Sequence, residues 1–516
     1  MLIPGPDAVL PRQQLEFRAF AKGRLADLLK LVAPPLTQHA LLQFGFIEDH
    51  VAALGCQSIA IERHYIDKDY IEDHAIFYSK SLYPYPNYCQ RVHFFKITPD
   101  TLEETITHLV HEGRKQPPQQ HAEICARFSD KSYLGFSVIK PLAGCPVGRT
   151  VLRPPVEVNE GGVQSLYSCT RFSKTHFAGI ELTVNGLVFQ QQDTGVSACA
   201  TTAIWSALYK IRDLEEVSAA TPAQITLVAA RHAMPFGRPL PSEGLSTDQM
   251  CLAIHALGVS PNLFRVDDFA TARAYLYSAT KSGIPSVLIL GRRQQDQYHA
   301  VTIAGMEIRT PHVEAAVAPG MDDEAGDLKA LYVHDDRLGP YLSAEVSGEG
   351  RVLTVSIAKE SVLKVASTPW TLTHILIPMH GKIRLSFSSM REITVRYLLP
   401  MLHIAIQKLQ LSSAKPAITF HNRIVRPQEY IRELLDRFDV RLQCIDALRT
   451  TVPFSRYVGI ARMGAPFLES VDVLFDTTST MRNIICLGVL PVGTSSNNWA
   501  LAELLAKALG TRLLAA

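Results

Sequence analysis

The sequence predicts an α+β protein of several domains, and three observations carry that prediction. Helical and strand-like patterns come in blocks and do not alternate one for one, which argues against a parallel α/β sheet. The chain has 516 residues, 47% hydrophobic and 19% charged, enough apolar material for more than one core. Its texture changes near residues 130 and 345, giving a helix-rich mixed domain over 1–130, a central domain over 131–345 and a mixed C-terminal α+β domain over 346–516.

Leu15 to Leu31 carries apolar residues at helical spacing and stops before Pro34-Pro35. Thr98-Pro99-Asp100 is a helix start for the segment to Glu112. YLGFSVIK (133–140) and RTVLRPPVEV (149–158) read as strands, and Asn185-Gly186 between ELTV and LVF reads as a type I′ hairpin turn. An apolar helix opens at Cys199. Further helices start after Thr221-Pro222, run from Ser246 to Leu257 before Gly258, and span Ala270 to Lys281. GIPSVLILG (283–291), YHAVTIAGM (298–306) and ALYVHDD (330–336) are core strands, followed by RVLTVSIA (351–358). Arg391 to Leu409 is helical with a kink or break expected at Pro400; Pro427 to Phe438 and Ser496 to Leu509 are helices.

Bulk properties exclude several function classes. The net charge is +2 and no run of like charge occurs, so no nucleic-acid partner is expected. No apolar stretch approaches a bilayer span, so neither is a membrane. MLIPGPDAVLPRQQ has no basic start followed by an apolar core, so no signal peptide is expected. The nine cysteines form no CxxC pair. A reducing, cytoplasmic location is expected, with each thiol either buried or reactive. Glu62, His64, Asp67, Asp69, Glu72, Asp73 and His74 alternate with Tyr65, Ile66, Tyr70 and Ile71, the pattern of a solvated amphipathic face; no metal-ligand spacing and no cofactor motif appears. Tyr83, Tyr85, Tyr88, Phe94 and Phe95 lack the interleaved basic residues of a base-stacking surface and read as core or interface.

The chemistry concentrates in QQQDTGVSACATTAIW (190–205). A thiol at a helix start meets unpaired amides and the positive end of the helix dipole, which favour the thiolate; a backbone amide and a glutamine side chain there can hold an oxyanion. Gly195 is expected to let the turn approach substrate. His299 opens an apolar strand, where packing asks for no histidine, and is a candidate base. Asp335, or Asp336 beside it, ends the next strand and is placed to orient that histidine. His334 reads as a strand-end surface residue.

The order Gln, Cys, His, Asp resembles the papain-like cysteine peptidases, and among them the C39-like domains. The pieces Gly244-Leu245-Ser246, Leu257-Gly258 and Gly283-Ile284-Pro285 are similar as well. The resemblance covers about Val188 to Tyr341, with Ala200 where the family has glycine. It implies a papain-like core, a Cys-bearing helix on an antiparallel sheet, between mixed flanking domains. It also implies acyl transfer: Cys199 as nucleophile, His299 as base, Asp335 as its orienter with Asp336 as alternative, and Gln192, then Gln191, as oxyanion donor. The expected activity is hydrolysis of a peptide or isopeptide bond in a peptide or protein substrate, with protein partners on the flanks. Deamidase or transglutaminase-type acyl transfer, or a binding module without catalysis, stays open at this point.

Overall fold

The computed structural model describes residues 15–29, 36–113, 115–193, 195–196, 198–215, 220–231, 244–292, 297–310, 316–318, 321–349, 351–359, 369–411, 417–465, 468–480 and 485–514. Strands whose two faces both carry apolar residues need cover on both sides, and the first sheet shows this directly. Its six antiparallel strands run in the order Leu15–Ala19, Ser58–Tyr65, Cys89–Phe95, Tyr133–Ile139, Val147–Leu152, Val188–Phe189. Ile59, Ile61 and Phe94 face helix Gln38–Ala53. Ala60, Phe95 and Phe136 face helix Pro99–Glu112 and the hairpin Arg171–Phe177/Ile180–Gly186.

The second sheet curls shut. Val287–Arg292, Gln297–Arg309, Leu328–Asp335, Gly339–Glu349, Val352–Ile357 and Trp370–His380 pair antiparallel in succession. The last of them pairs back onto the first, closing a six-stranded barrel. Val259–Arg265 and Val163–Leu166 add to its rim. Leu288, Leu290, Val301 and Ile303 face one core, with Ala272 and Leu276 of helix Phe269–Lys281. Val287, Ile289 and Ala300 face the other, against helix Cys199–Glu215.

The third sheet orders Ala316–Ala318, Met321–Asp323, Ile418–Val425, Val458–Ala465, Leu468–Asp476 and Cys486–Val492. A parallel pairing joins Met321–Asp323, from the middle of the chain, to Ile418–Val425. Ser496–Ala508 covers one face; Pro427–Arg437 and Leu442–Thr450 cover the other.

The protein is thus α+β, but the expected domain limits do not match its sheets. Tyr133–Ile139 lies inside the first sheet, so the 130/131 boundary separates a strand from its neighbours. The 345/346 boundary falls within a barrel strand, Gly339–Glu349. Of the helix expected from Leu15 to Leu31, Leu15–Ala19 is a strand, because it pairs with Ser58–Tyr65, and Leu25–Leu29 is a short helix; residues 30 and 31 lie outside the described residues. Asn185-Gly186 is no turn: the hairpin turns at Ala178-Gly179, where φ is 50° and 85°. Gly186 is needed for another reason, since a Cβ there would lie 2.3 Å from the Leu152 carbonyl oxygen. Pro400 sits in the first turn of helix Leu399–Lys408, just after a π-helical turn over Thr394–Leu398 that absorbs its missing amide. The acidic cluster is no solvated face. Glu62, Asp67, Asp69 and Asp73 are buried, with Arg91 on Glu62 and Arg149 2.7 Å from Asp67.

Candidate active site

Cys199 is the first residue of its helix, as the sequence predicts. The apolar positions Ala200, Ala203, Ile204 and Ala207 bury one face of that helix. Two side chains fasten it. Thr302 Oγ1 on the histidine-bearing strand donates to the Ala203 carbonyl at 2.8 Å, and Ser206 Oγ donates to Val188 O at 2.6 Å.

The turn before Cys199 is held from the first sheet's side. Asp193 accepts from the Gly195 amide at 2.7 Å and from the Tyr78 hydroxyl. Lys140 Nζ stands 3.8 Å from its other oxygen. A Cβ on Gly195 would lie 2.8 Å from the Phe77 ring and 2.9 Å from the Tyr78 hydroxyl. Gly195 therefore serves this close packing, and not an approach to substrate.

His299 lies near the start of strand Gln297–Arg309, and Asp335 is the last residue of Leu328–Asp335. These strands are neighbours in the barrel, with Thr302 opposite His334. His299 Nε2 donates to Asp335 Oδ2 at 3.0 Å, which leaves Nδ1 for the Cys199 thiol, the ring's other hydrogen-bond partner. Both residues are buried. Asp335 also accepts from the Arg337 amide at 2.9 Å and from its guanidinium at 3.1 Å. Trp370, 1% exposed, covers the pair, its ring 5.8 Å from that of His299. The guanidiniums of Arg292 and Arg337 stack on Trp370 at 3.9 and 5.4 Å. Sequence reading missed Arg337 and Trp370. Arg337 was legible as the cation two residues beyond the carboxylate, whereas Trp370 carries no local signal.

Burial works against charge on His299, but the Asp335 carboxylate, with hydrogen bonds to Asp335 and Cys199, overrides it and holds the imidazolium to about 10. Asp335 is driven far below the usual carboxylate range: burial opposes this, and His299 and Arg337 outweigh it. Asp336 lies 3.7 Å from His299 Nε2. Burial pushes its carboxyl up to about 7, against the pull of His299 and with the help of Asp335. Asp335 thus holds the ring, while Asp336 stands beside it as a buried acid. His299, Asp335 and Asp336 place ligand atoms within 4.8 Å of one another. With an imidazolium and a guanidinium already on Asp335, this donor set repels a cation.

Two cavities meet at Cys199. The outer one, of about 570 Å³, is lined by Cys199, His299, Leu245, Met250, Ile289 and Tyr298 among others. The inner one, of about 10 Å³, is lined by Cys199 with Gln190, Thr202, His334 and Asp336. Gln190 is buried, with its Nε2 unpartnered. Neither expected glutamine reaches this point. Gln191 turns to the first sheet, accepting from Val147 N at 3.3 Å and donating to Gly144 O at 3.2 Å. Gln192 is half-buried and lines neither cavity. Gln190 follows strand Val188–Phe189 directly, and that pairing sets its direction. His334 is not a surface residue: it is buried, its Nδ1 3.1 Å from Val188 O, and burial lowers its pKa to about 3.

A scan against known protein families finds no matching model, and no curated protein matches the chain.

Proposed function

We propose that the protein is a cysteine hydrolase with a papain-like core, cleaving a peptide or isopeptide bond in the cytoplasm. The observation that carries this reading is the convergence of Cys199, His299 and Asp335: a thiol at a helix start, hydrogen-bonded to an imidazole that is held by a buried carboxylate. Cys199 attacks the substrate carbonyl as thiolate, with the His299 imidazolium as its partner. The oxyanion is held by the Cys199 amide and Gln190, the glutamine that shares a cavity with the thiol. His299 then protonates the leaving amine, the acyl group stays on sulfur, and water activated by His299 releases it. Arg337 fixes the carboxylate, and Trp370 keeps water from the His299–Asp335 bond. The outer cleft, with Leu245, Met250 and Ile289, suits an apolar side chain beside the scissile bond. All nine cysteines are free, which fits a reducing compartment.

The test is selective alkylation. Iodoacetamide at neutral pH is expected to modify Cys199 well before the other eight thiols, and peptide-library turnover is expected to vanish in Cys199→Ala. Labelling of Cys199 no faster than that of half-buried Cys251 would remove the basis for this function.

A further inference from the structure

A second cleft lies far from Cys199 in sequence, on the third sheet's helical cover. It encloses about 1070 Å³ between helix Pro427–Arg437, helix Leu442–Thr450 and the segment that follows. Arg426, Arg432, Arg449 and Arg456 line it, against a single carboxylate, Glu429. Guanidiniums gathered in one concave site repel each other unless an anion sits between them. The Arg432 and Arg449 guanidiniums form no ion pair with any described residue. Arg426 is braced by a hydrogen bond to the Tyr457 hydroxyl. The positive field reaches beyond the cleft: the pKa of His380 is lowered first by burial, then by Arg456, Lys382 and Arg426.

Two further features narrow the ligand. The first turn of Pro427–Arg437 lines the cleft, and its N-cap, Arg426, makes no side-chain capping bond, so first-turn amides add to the anion-seeking groups. The wall is also partly apolar: Phe454 is half-buried, over buried Leu448 and Val452. A lone inorganic anion would fill little of this volume, and an apolar wall does nothing for it.

We propose that this cleft binds an organic polyphosphate of nucleotide size, its phosphates on Arg432, Arg449 and Arg456 and its flat body against Phe454. Arginine suits the first part through its bidentate fork, and an aromatic face suits the second by stacking. The proposal is independent of the thiol chemistry, and Cys199→Ala is expected to bind equally well.

The test is calorimetric titration of the full chain, at low ionic strength, with ATP and with inorganic pyrophosphate as probes. ATP is expected to bind saturably and more tightly than pyrophosphate, and to weaken as salt is added. Arg449→Ala and Arg456→Ala, both at exposed positions, are each expected to weaken both probes by roughly tenfold. Phe454→Leu is expected to weaken ATP and leave pyrophosphate unchanged. The control Lys507→Ala, on a different helix, should change neither. No saturable binding of either probe, or binding that survives both arginine replacements, overturns the site. Pyrophosphate binding as tightly as ATP, or a polyglutamate peptide binding more tightly than ATP, overturns the nucleotide-sized ligand.

Discussion

Replacing Asp335 by asparagine keeps the shape of the side chain and removes its charge from a buried position bonded to both His299 and Arg337. In the native protein the carboxylate holds His299 to about 10, above its ordinary 6.5, although burial and Arg337 both push the other way. Without the carboxylate, burial and Arg337 outweigh the one remaining raising influence, the smaller one of Cys199, so His299 is expected to titrate below 6.5. That displacement exceeds about 3 pH units, on the order of 4 kcal/mol. The imidazolium is then lost at neutral pH, and kcat/KM should fall by about 10²–10⁴-fold. Stability follows with a definite sign. A raised histidine contributes fully below its unfolded pKa, here about 6.5, and its contribution fades as pH rises through about 10. The lowered Asp335 contributes above its ordinary 3.8 and loses that contribution as pH falls. The variant's deficit should therefore be greatest between about pH 4 and pH 6.5, decline as pH rises to about 10, and shrink again below about pH 4. The assay is an NMR titration of ¹³C-labelled histidine rings, with His299 assigned by its loss in His299→Gln, run alongside thermal melts. A His299 that still titrates above about 8 in Asp335→Asn would refute the account of what holds its charge.

Other positions give separate readouts. Gln190→Ala should lower kcat by about 10²–10³-fold on a peptide substrate, whereas Gln192→Ala should leave it nearly unchanged; the reverse pattern would return the oxyanion role to Gln192. Asp336→Asn removes a group that burial pushes up to about 7 and that costs stability once it ionises, so the melting temperature of the variant should rise relative to the native protein between pH 5 and pH 9. Gly195→Ala places a methyl against Phe77 and Tyr78, and should lower both the melting temperature and the alkylation rate of Cys199; an unchanged rate would show that the turn does not position the thiol. Trp370→Ala should cost about 3–5 kcal/mol of stability and shift the His299 titration downward by admitting water.

Features set by neighbours in sequence were legible. Ser246 and Gln249 form a reciprocal capping box, and so do Thr221 and Gln224, so both helices begin where their caps announce them. Cys199, His299 and Asp335 stood out because each occupies an element boundary that apolar packing does not explain. What depended on distant partners was not legible. The acidic cluster at 62–74 looks solvated until Arg91, Lys140 and Arg149 arrive from other strands to balance it. Three adjacent glutamines look equivalent until the pairing of Val188–Phe189 with Val147–Leu152 points Gln190 toward the thiol and Gln191 away. Gly186 reads as a turn residue because glycine serves both a positive φ and a close backbone approach, and only the neighbouring strand tells which.

Closure of the barrel has a practical consequence for dissecting the protein. A polypeptide cut to residues 131–345 would retain the whole candidate triad, yet it would lose Val352–Ile357 and Trp370–His380, the two strands that complete the ring. It would also strip Tyr133–Ile139 of its partner Cys89–Phe95. The truncated strand 339–345, Val287–Arg292 and Tyr133–Ile139 would each become a naked edge, free to recruit other chains. Such a fragment should precipitate, and its inactivity would say nothing about the chemistry of Cys199. Even a piece running from the first sheet through His380 would part Met321–Asp323 from Ile418–Val425 and uncover the core that the barrel shares with the third sheet, so point substitutions in the full chain are the sound route to dissection.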